Sequence, residues 1–230
     1  CCSPSFSIFN FQFSIVMNTI GKLYTLTSFG ESHGEALGGV IDGCPAGIPL
    51  SEEEIQHELN RRRPGQSSVT TSRTEEDCVE ILSGIFEGVT TGSPIGFIVR
   101  NKDQRSRDYD GIKDLFRPSH ADYTMQEKYG IRDYRGGGRS SAREHVVRVV
   151  GGAVARQVLK RLGVSIHGYT SQVGSIALNK SYHELNLEET ENNVVRCPDS
   201  VVAREMELFI RKVQEEHDLS LIHISEPTRH

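Results

Sequence analysis

The chain has 230 residues, with 26 Lys and Arg against 31 Asp and Glu, and a formal net charge of −5. That length suits one globular domain, with two as the outer limit, and it can bury a core without disulfide or metal staples. The acidic balance argues against a dedicated nucleic-acid binder, and no apolar run approaches the roughly 20 residues of a membrane helix.

The charge is unevenly spread. Of the 26 basic residues, 19 are Arg and 7 are Lys. Residues 100–148 hold 12 basic and 8 acidic residues, a local balance of +4 that leaves −9 for the rest. Arginine is favoured where phosphate or carboxylate is held by a planar, two-pronged donor. A solvated arginine-rich surface explains the same composition equally well.

In chain order, residues 1–16 precede Met17 and contain no Lys or Arg. A secretory signal needs a basic start and a small-residue cleavage site, so this stretch reads as an upstream extension foreign to the fold. Residues 19–29 and 37–42 read as short strands around a glycine-rich loop. Ser51 to Glu54 reads as a capping box, with Leu50 and Ile55 as a hydrophobic staple. The helix it opens ends near Arg62, because Pro64 restricts Arg63. That places Arg61, Arg62 and Arg63 at a helix C-terminus, where the dipole alone favours cations.

Residues 78–86 and 94–100 read as strands, with Val79, Ile81 and Ile85 on one face and Ile95, Phe97 and Val99 on another. Residues 101–138 read as a long loop region with short helices inside it. Ser141 to Glu144 reads as a second capping box, opening a helix over roughly 141–162. Its apolar stripe is Ala142, Val146, Val149 and Ala153, flanked by Val150 and Val154, and Gly163 caps its end. Residues 164–178 read as strand. An amphipathic helix follows Pro198, with Val202, Met206, Phe209 and Val213 facing one way. Past Asp218 the periodicity stops, and residues 219–230 read as a tail foreign to the fold. Of the five cysteines, Cys44, Cys78 and Cys197 form no CxxC and have no histidine at zinc-finger spacing, so reduced structural thiols and no metal site are expected.

Four groupings could carry chemistry. Gly30-Glu31-Ser32-His33-Gly34 holds a histidine on a tight turn, where it can act as acid or base near neutral pH. Arg117-Pro118-Ser119-His120-Ala121-Asp122 fixes a second histidine, with Asp122 close enough in sequence to orient it. Taken alone, each reads more readily as a turn with a non-catalytic histidine. Arg135 to Glu144 joins three glycines to a helix start, two serines and Arg139 and Arg143, a combination suited to an anion. It is neither a Walker loop nor a dinucleotide fingerprint. With Arg61–Arg63, it points to a ligand carrying more than one anionic group.

Together these segments resemble the chorismate synthase family. The matching stretches are GESHGEALGGVIDGCPAG (30–47), RRRPGQS (61–67), TTGSPIGF (90–97), NKDQRSRDY (101–109), RPSHADYT (117–124) and YGIRDYRGGGRSSARE (129–144). The likeness runs from about Asn18 to Asp218, so a family domain is expected over 17–218. The resemblance implies an α+β fold, a β-α-β sandwich, incomplete here at its C-terminus. It implies a lyase of the shikimate pathway that eliminates phosphate from 5-enolpyruvylshikimate 3-phosphate to give chorismate. Reduced FMN is the implied cofactor, with NADPH as a possible reductant.

By the same resemblance, His33 protonates the departing phosphate and His120 protonates the flavin. Arg139, Ser140, Ser141 and Arg62 contact flavin or nucleotide. Ser32, Arg62, Arg117 and Arg143 contact substrate. Ser68 stands where some relatives carry arginine. A cytoplasmic homotetramer is implied, with neither nucleic acid nor membrane as partner. Because the family continues past this point with further flavin contacts and an aspartate for proton removal, the 230-residue chain is expected to be an inactive fragment. Two other readings fit less well. A binding module for phosphorylated ligands or RNA is disfavoured by the two histidines in glycine- or proline-fixed loops, which suit catalysis, and RNA also by the charge and the scarcity of Lys. An FMN oxidoreductase is disfavoured by the lack of a nicotinamide fingerprint.

Overall fold

The computed structural model describes residues 18–62, 77–101, 111, 113–118, 120–135 and 137–216. The expected upstream extension (1–16), the expected tail (219–230), Arg63 and Ser68 lie outside the described residues. The contacts divide the chain into two units, with boundaries after Leu50, Cys78 and Gly151.

The first unit is built on a five-stranded antiparallel sheet. Its strands are β1 (Thr19–Gly21), β2 (Thr25–Gly30), β3 (Ala36–Asp42), β4 (Val79–Ile81) and β7 (Ile95–Arg100), in the order β1-β2-β3-β7-β4. Register follows the period-two apolar pattern. Leu37, Gly39 and Ile41 stand opposite Val99, Phe97 and Ile95, and Leu26 stands opposite Ile41. All of these side chains are buried, so one face of the sheet forms the core. The expected face of Ile95, Phe97 and Val99 is therefore correct.

Helix α3 (His145–Arg161) starts in this unit and ends in the other. Its first half lies against the sheet at two glycines. A Cβ on Gly39 would come within 2.8 Å of both Phe97 and Val147, and one on Gly151 within 2.8 Å of Leu26. Close backbone approach is thus the reason for small residues here. Tyr24 Oη donates to the Gly151 carbonyl at 2.7 Å, joining β2 to the same turn of the helix. Burial, with Cys44 nearby, pushes the Tyr24 phenol well above its usual range.

The second unit carries α1 (Glu52–Arg62), the end of α3, the hairpin β8 (Gln172–Val173) and β9 (Ile176–Ala177), and α4 (Ser200–Glu215). Val195, Cys197, Ala203 and Met206 are buried together, with Val173, Ile176, Leu178, Val202 and Ile210 packed against them. Asp199 caps α4 through the amides of Val201 and Val202. The amphipathic helix after Pro198 is as expected. Cys44, Cys78 and Cys197 are free thiols, and burial raises the pKa of Cys44 and Cys197. Among the described residues no helix is long and apolar enough to cross a membrane, and no group of three metal-ligating side chains occurs.

Several expectations need correction. Segment 19–29 is two strands, because Gly21 takes a left-handed backbone (φ 97°) and reverses the chain. Segment 78–86 also breaks, at Gly84 (φ 82°), and Ile85–Phe86 pairs instead with Val89–Thr90 as the small hairpin β5–β6. Only half of the first capping box forms. Ser51 Oγ accepts from the Glu54 amide at 3.1 Å, but the Ser51 amide donates to Gln157 rather than to Glu54. The second box is absent. Ser141 Oγ accepts from the Arg143 amide, residues 142–144 form a 3-10 turn, and the Glu144 carboxylate turns inward. The buried face of α3 is Val146, Val147, Val150, Ala153 and Val154, while Val149 is half-buried and Ala142 is exposed. Segment 164–178 is mostly irregular, since only the short β8–β9 hairpin finds pairing. Gly163, with φ 70° and its amide on the Lys160 carbonyl, does end α3.

Candidate active site

The tip joining β2 to β3 is residues 31–35. Gly30 leaves β2 with φ 93°, and a Cβ there would sit 2.3 Å from the Ala36 carbonyl oxygen, so glycine is required. Gly34 is different: its Cβ would meet only ordinary contacts beginning at 3.4 Å, so it permits the turn without being demanded by it. The result buries His33, with 6% of its surface exposed, and sets Ser32 Oγ 3.2 Å from His33 Nδ1.

This tip is tied to the glycine-rich turn. The Ser32 amide donates to the Gly138 carbonyl at 3.2 Å. Gly138 has φ 51°, and its Cβ would lie 3.3 Å from the Asp133 carbonyl; that of Gly137 would lie 3.1 Å from Ser141 Cα. Gly138 is therefore favoured by its left-handed backbone, and Gly137 by the tight approach of Ser141. Asp133 accepts from the Arg135 side chain at 2.8 and 2.9 Å. Burial opposes ionisation of Asp133, but the Arg135 hydrogen bonds outweigh it, and the charges of Arg135 and His33 add to them. The carboxyl is held below its ordinary range.

Arg139 leaves this turn toward the sheet. Its guanidinium donates to the Ser28 carbonyl at 3.0 Å and to Ser28 Oγ, reaches Asn18 Oδ1 at 3.3 Å, and lies 3.6 Å from Glu144. Ser28 stands on the core face of β2 opposite Gly39. It is a buried polar group at an apolar position, and it donates to Glu144 Oε1 at 2.9 Å. Glu144 also accepts from Arg148 at 2.9 Å. Arg139 Nη1 is buried and has no acceptor among the described residues. Arg139 and Ser140 line two cavities. One, about 430 Å³, is also bounded by Ser28, Ser141, His145 and Arg148. The other, about 290 Å³, faces Asp122, Met125 and Arg132.

The third motif opens α2 (Asp122–Tyr129). Asp122 is buried, and it does not orient His120 as expected. Its two oxygens accept from Arg117 Nε and Nη2, each at 2.8 Å, and Arg132 lies 3.5 Å away. These bonds from Arg117 lower the Asp122 pKa to about 2 against the opposing effect of burial. His120 is exposed, its Nδ1 2.9 Å from the Pro118 carbonyl.

The profile of the chorismate synthase family matches residues 24–221. The chain belongs to the chorismate synthase family. A chorismate synthase of Christiangramia forsetii is 61% identical over 201 residues, and one of Phocaeicola vulgatus is 62% identical over 203. These matches take in 87% and 88% of this chain, but the chain spans only 56% and 57% of those relatives' length. A crystal structure of chorismate synthase superposes with a TM-score of 0.66 at 33% identity, covering 85% of this chain and 54% of that one. The expected α+β class holds.

For a chorismate synthase family chain, the candidate residues divide clearly. Ser32, His33, Arg139, Ser140, Ser141 and Arg143 gather around the joined loops of the first unit. His120 and Arg117 open α2 in the same unit. Arg117 is already bound to Asp122, and neither His33 nor His120 lines either cavity. Arg62 belongs to the second unit, where it pairs with buried Asp77 at 3.1 Å. Much of the local positive charge is neutralised in place, because Arg117, Arg132, Arg135, Arg139 and Arg148 all have carboxylate neighbours. Sequence reasoning missed Ser28, Glu144 and Asn101. Glu144 looked like a cap residue, Asn101 stood in the matching stretch 101–109 with no sign of its bonds, and nothing local marks Ser28.

Proposed function

We propose that this protein serves the conversion of 5-enolpyruvylshikimate 3-phosphate to chorismate and phosphate, as a carbon–oxygen lyase with reduced FMN. The observation that carries the reading is the hydrogen bond from Ser32 to Gly138. It sets a buried histidine beside an arginine-bearing turn with cavities on both sides. The fit to an anionic cofactor and substrate rests on Arg139, whose buried Nη1 finds no acceptor among the described residues.

In this reading Arg139, Ser140 and Ser141 hold the flavin, with Arg62 adding a nucleotide or substrate contact. Arg143, Arg117 and Ser32 hold the substrate. When bound, reduced FMN supplies electron density that assists C–O cleavage and is recovered as the ring proton leaves. His33, as imidazolium, gives its proton to the phosphate oxygen that keeps the electron pair of the broken bond. Its burial excludes water from that transfer. His120 serves the flavin rather than the leaving group. NADPH as reductant, a homotetramer and a cytoplasmic setting belong to the same reading and draw their support from the family resemblance alone.

The test is a hybrid enzyme in which residues 18–216 replace the matching stretch of a full-length relative. The hybrid should release phosphate anaerobically with reduced FMN. A folded hybrid that binds FMN and releases none, beside an active parent, would overturn the reading.

A further inference from the structure

We propose that Asn101 is a positioning residue that holds the His33 loop and the Arg143 guanidinium in one register. This rests on the reading of His33 as the proton donor. Asn101 follows the last residue of β7, where Arg100 stands opposite Ala36. Its amide N–H donates to the Glu35 carbonyl at 3.0 Å, so the ladder extends one residue into the loop. Its side-chain amide then reaches over the tip. Nδ2 donates to the Gly34 carbonyl at 2.9 Å and to the Glu31 carbonyl at 3.2 Å. Oδ1 accepts from Arg143 Nε at 3.1 Å.

Three carbonyls on either side of His33 are thus held by one residue. A primary amide is the side chain that offers two donors and an acceptor from one planar group. Asp would face two carbonyls with no donor, and Leu would offer nothing. The orientation of the amide is also determined, since a flip would set Oδ1 against both carbonyl oxygens. Within the tip the Gly34 amide donates to the Glu31 carbonyl at 3.0 Å, an acceptor it shares with Asn101, and Ser32 Oγ lies 3.2 Å from His33 Nδ1. Removing Asn101 loosens the turn at both shoulders of His33 and takes one acceptor from Arg143.

The test compares the 230-residue chain with Asn101→Asp and Asn101→Ala, with Asn101→Ser in reserve should either fail to fold. Asp keeps an acceptor for Arg143 and loses both donors to the loop. Two exchange measurements are read. Backbone amide exchange at residues 31–35 should rise about tenfold or more in every variant, while residues 37–41 and 95–99 keep their rates. Exchange of the His33 Cε1 proton, followed against pH, should quicken and shift its midpoint, with His57 and His145 unchanged. Unchanged exchange at residues 31–35 and at His33 overturns the proposal. Equal loosening of β3 and β7 also overturns it, since Asn101 would then be only a sheet-stabilising residue. Turnover that survives His33→Ala in the hybrid enzyme would remove the acid role of His33 and leave these exchange results standing.

Discussion

Replacing Asp122 by Asn removes a charge and keeps the shape. The carboxylate holds two side-chain bonds from Arg117 at 2.8 Å and the Arg117 amide at 3.0 Å, and Arg132 lies at 3.5 Å. The folded pKa falls from 3.8 to about 2, with the Arg117 hydrogen bond as the largest cause. A folded pKa below the unfolded one means stability that is present above pH 4 and lost as pH falls through 2. At 1.36 kcal/mol for each pH unit, the ionised carboxylate contributes about 2 kcal/mol near neutrality. The Asp122→Asn variant should therefore be weaker by about that amount at pH 7, a shift of about 1 M in a urea midpoint. Circular dichroism would follow the unfolding. At pH 2 the two proteins should differ by under about 1 kcal/mol. A gap that stays constant from pH 7 to pH 2 would show that the Arg117 pairing does not depend on the charge, and the reasoning would fail.

Other perturbations follow from the same contacts. Glu144→Ala removes the acceptor of Ser28 Oγ and the carboxylate beside Arg139, and should cost about 2–4 kcal/mol in chemical denaturation. Glu144→Gln, which keeps an acceptor for Ser28, should lose less. Gly39→Val forces a side chain into space held by Phe97 and Val147 and should destabilise by about 1–3 kcal/mol, seen as a lower Tm. Arg139→Ala should weaken FMN binding in a fluorescence titration of the hybrid enzyme; unchanged affinity would contradict its assigned contact.

The strands of the sheet were legible because their apolar residues alternate, although β3 and β7 pair across a long stretch of chain. Ile95, Phe97 and Val99 declared their face, and Leu37, Gly39 and Ile41 accepted it. The strand breaks at Gly21 and Gly84 were harder to see, because a single left-handed glycine reverses a chain that is otherwise β-like on both sides. At the start of α3, local pattern misled. Ser-x-x-Glu is a capping signature, yet Glu144 is drawn away by Ser28, 116 residues distant in sequence. A local competitor did the same at Asp122, which pairs with Arg117 five residues before it rather than with His120. The arginine excess was visible from composition, but its pairing was not, since each partner is fixed by packing. Asn101 was hidden for the related reason that its bonds go to backbone carbonyls of another segment. The motif loops themselves were legible, because their glycines, histidines and arginines are contiguous.

The central claim is that His33, held between β2 and the Gly138 turn, gives the proton that leaves with phosphate. The most direct measurement is anaerobic phosphate release by the hybrid enzyme with His33→Ala, alongside FMN binding by fluorescence. The account predicts intact flavin binding and a rate lower by about 10²-fold or more. Phosphate released at the unsubstituted rate would contradict it.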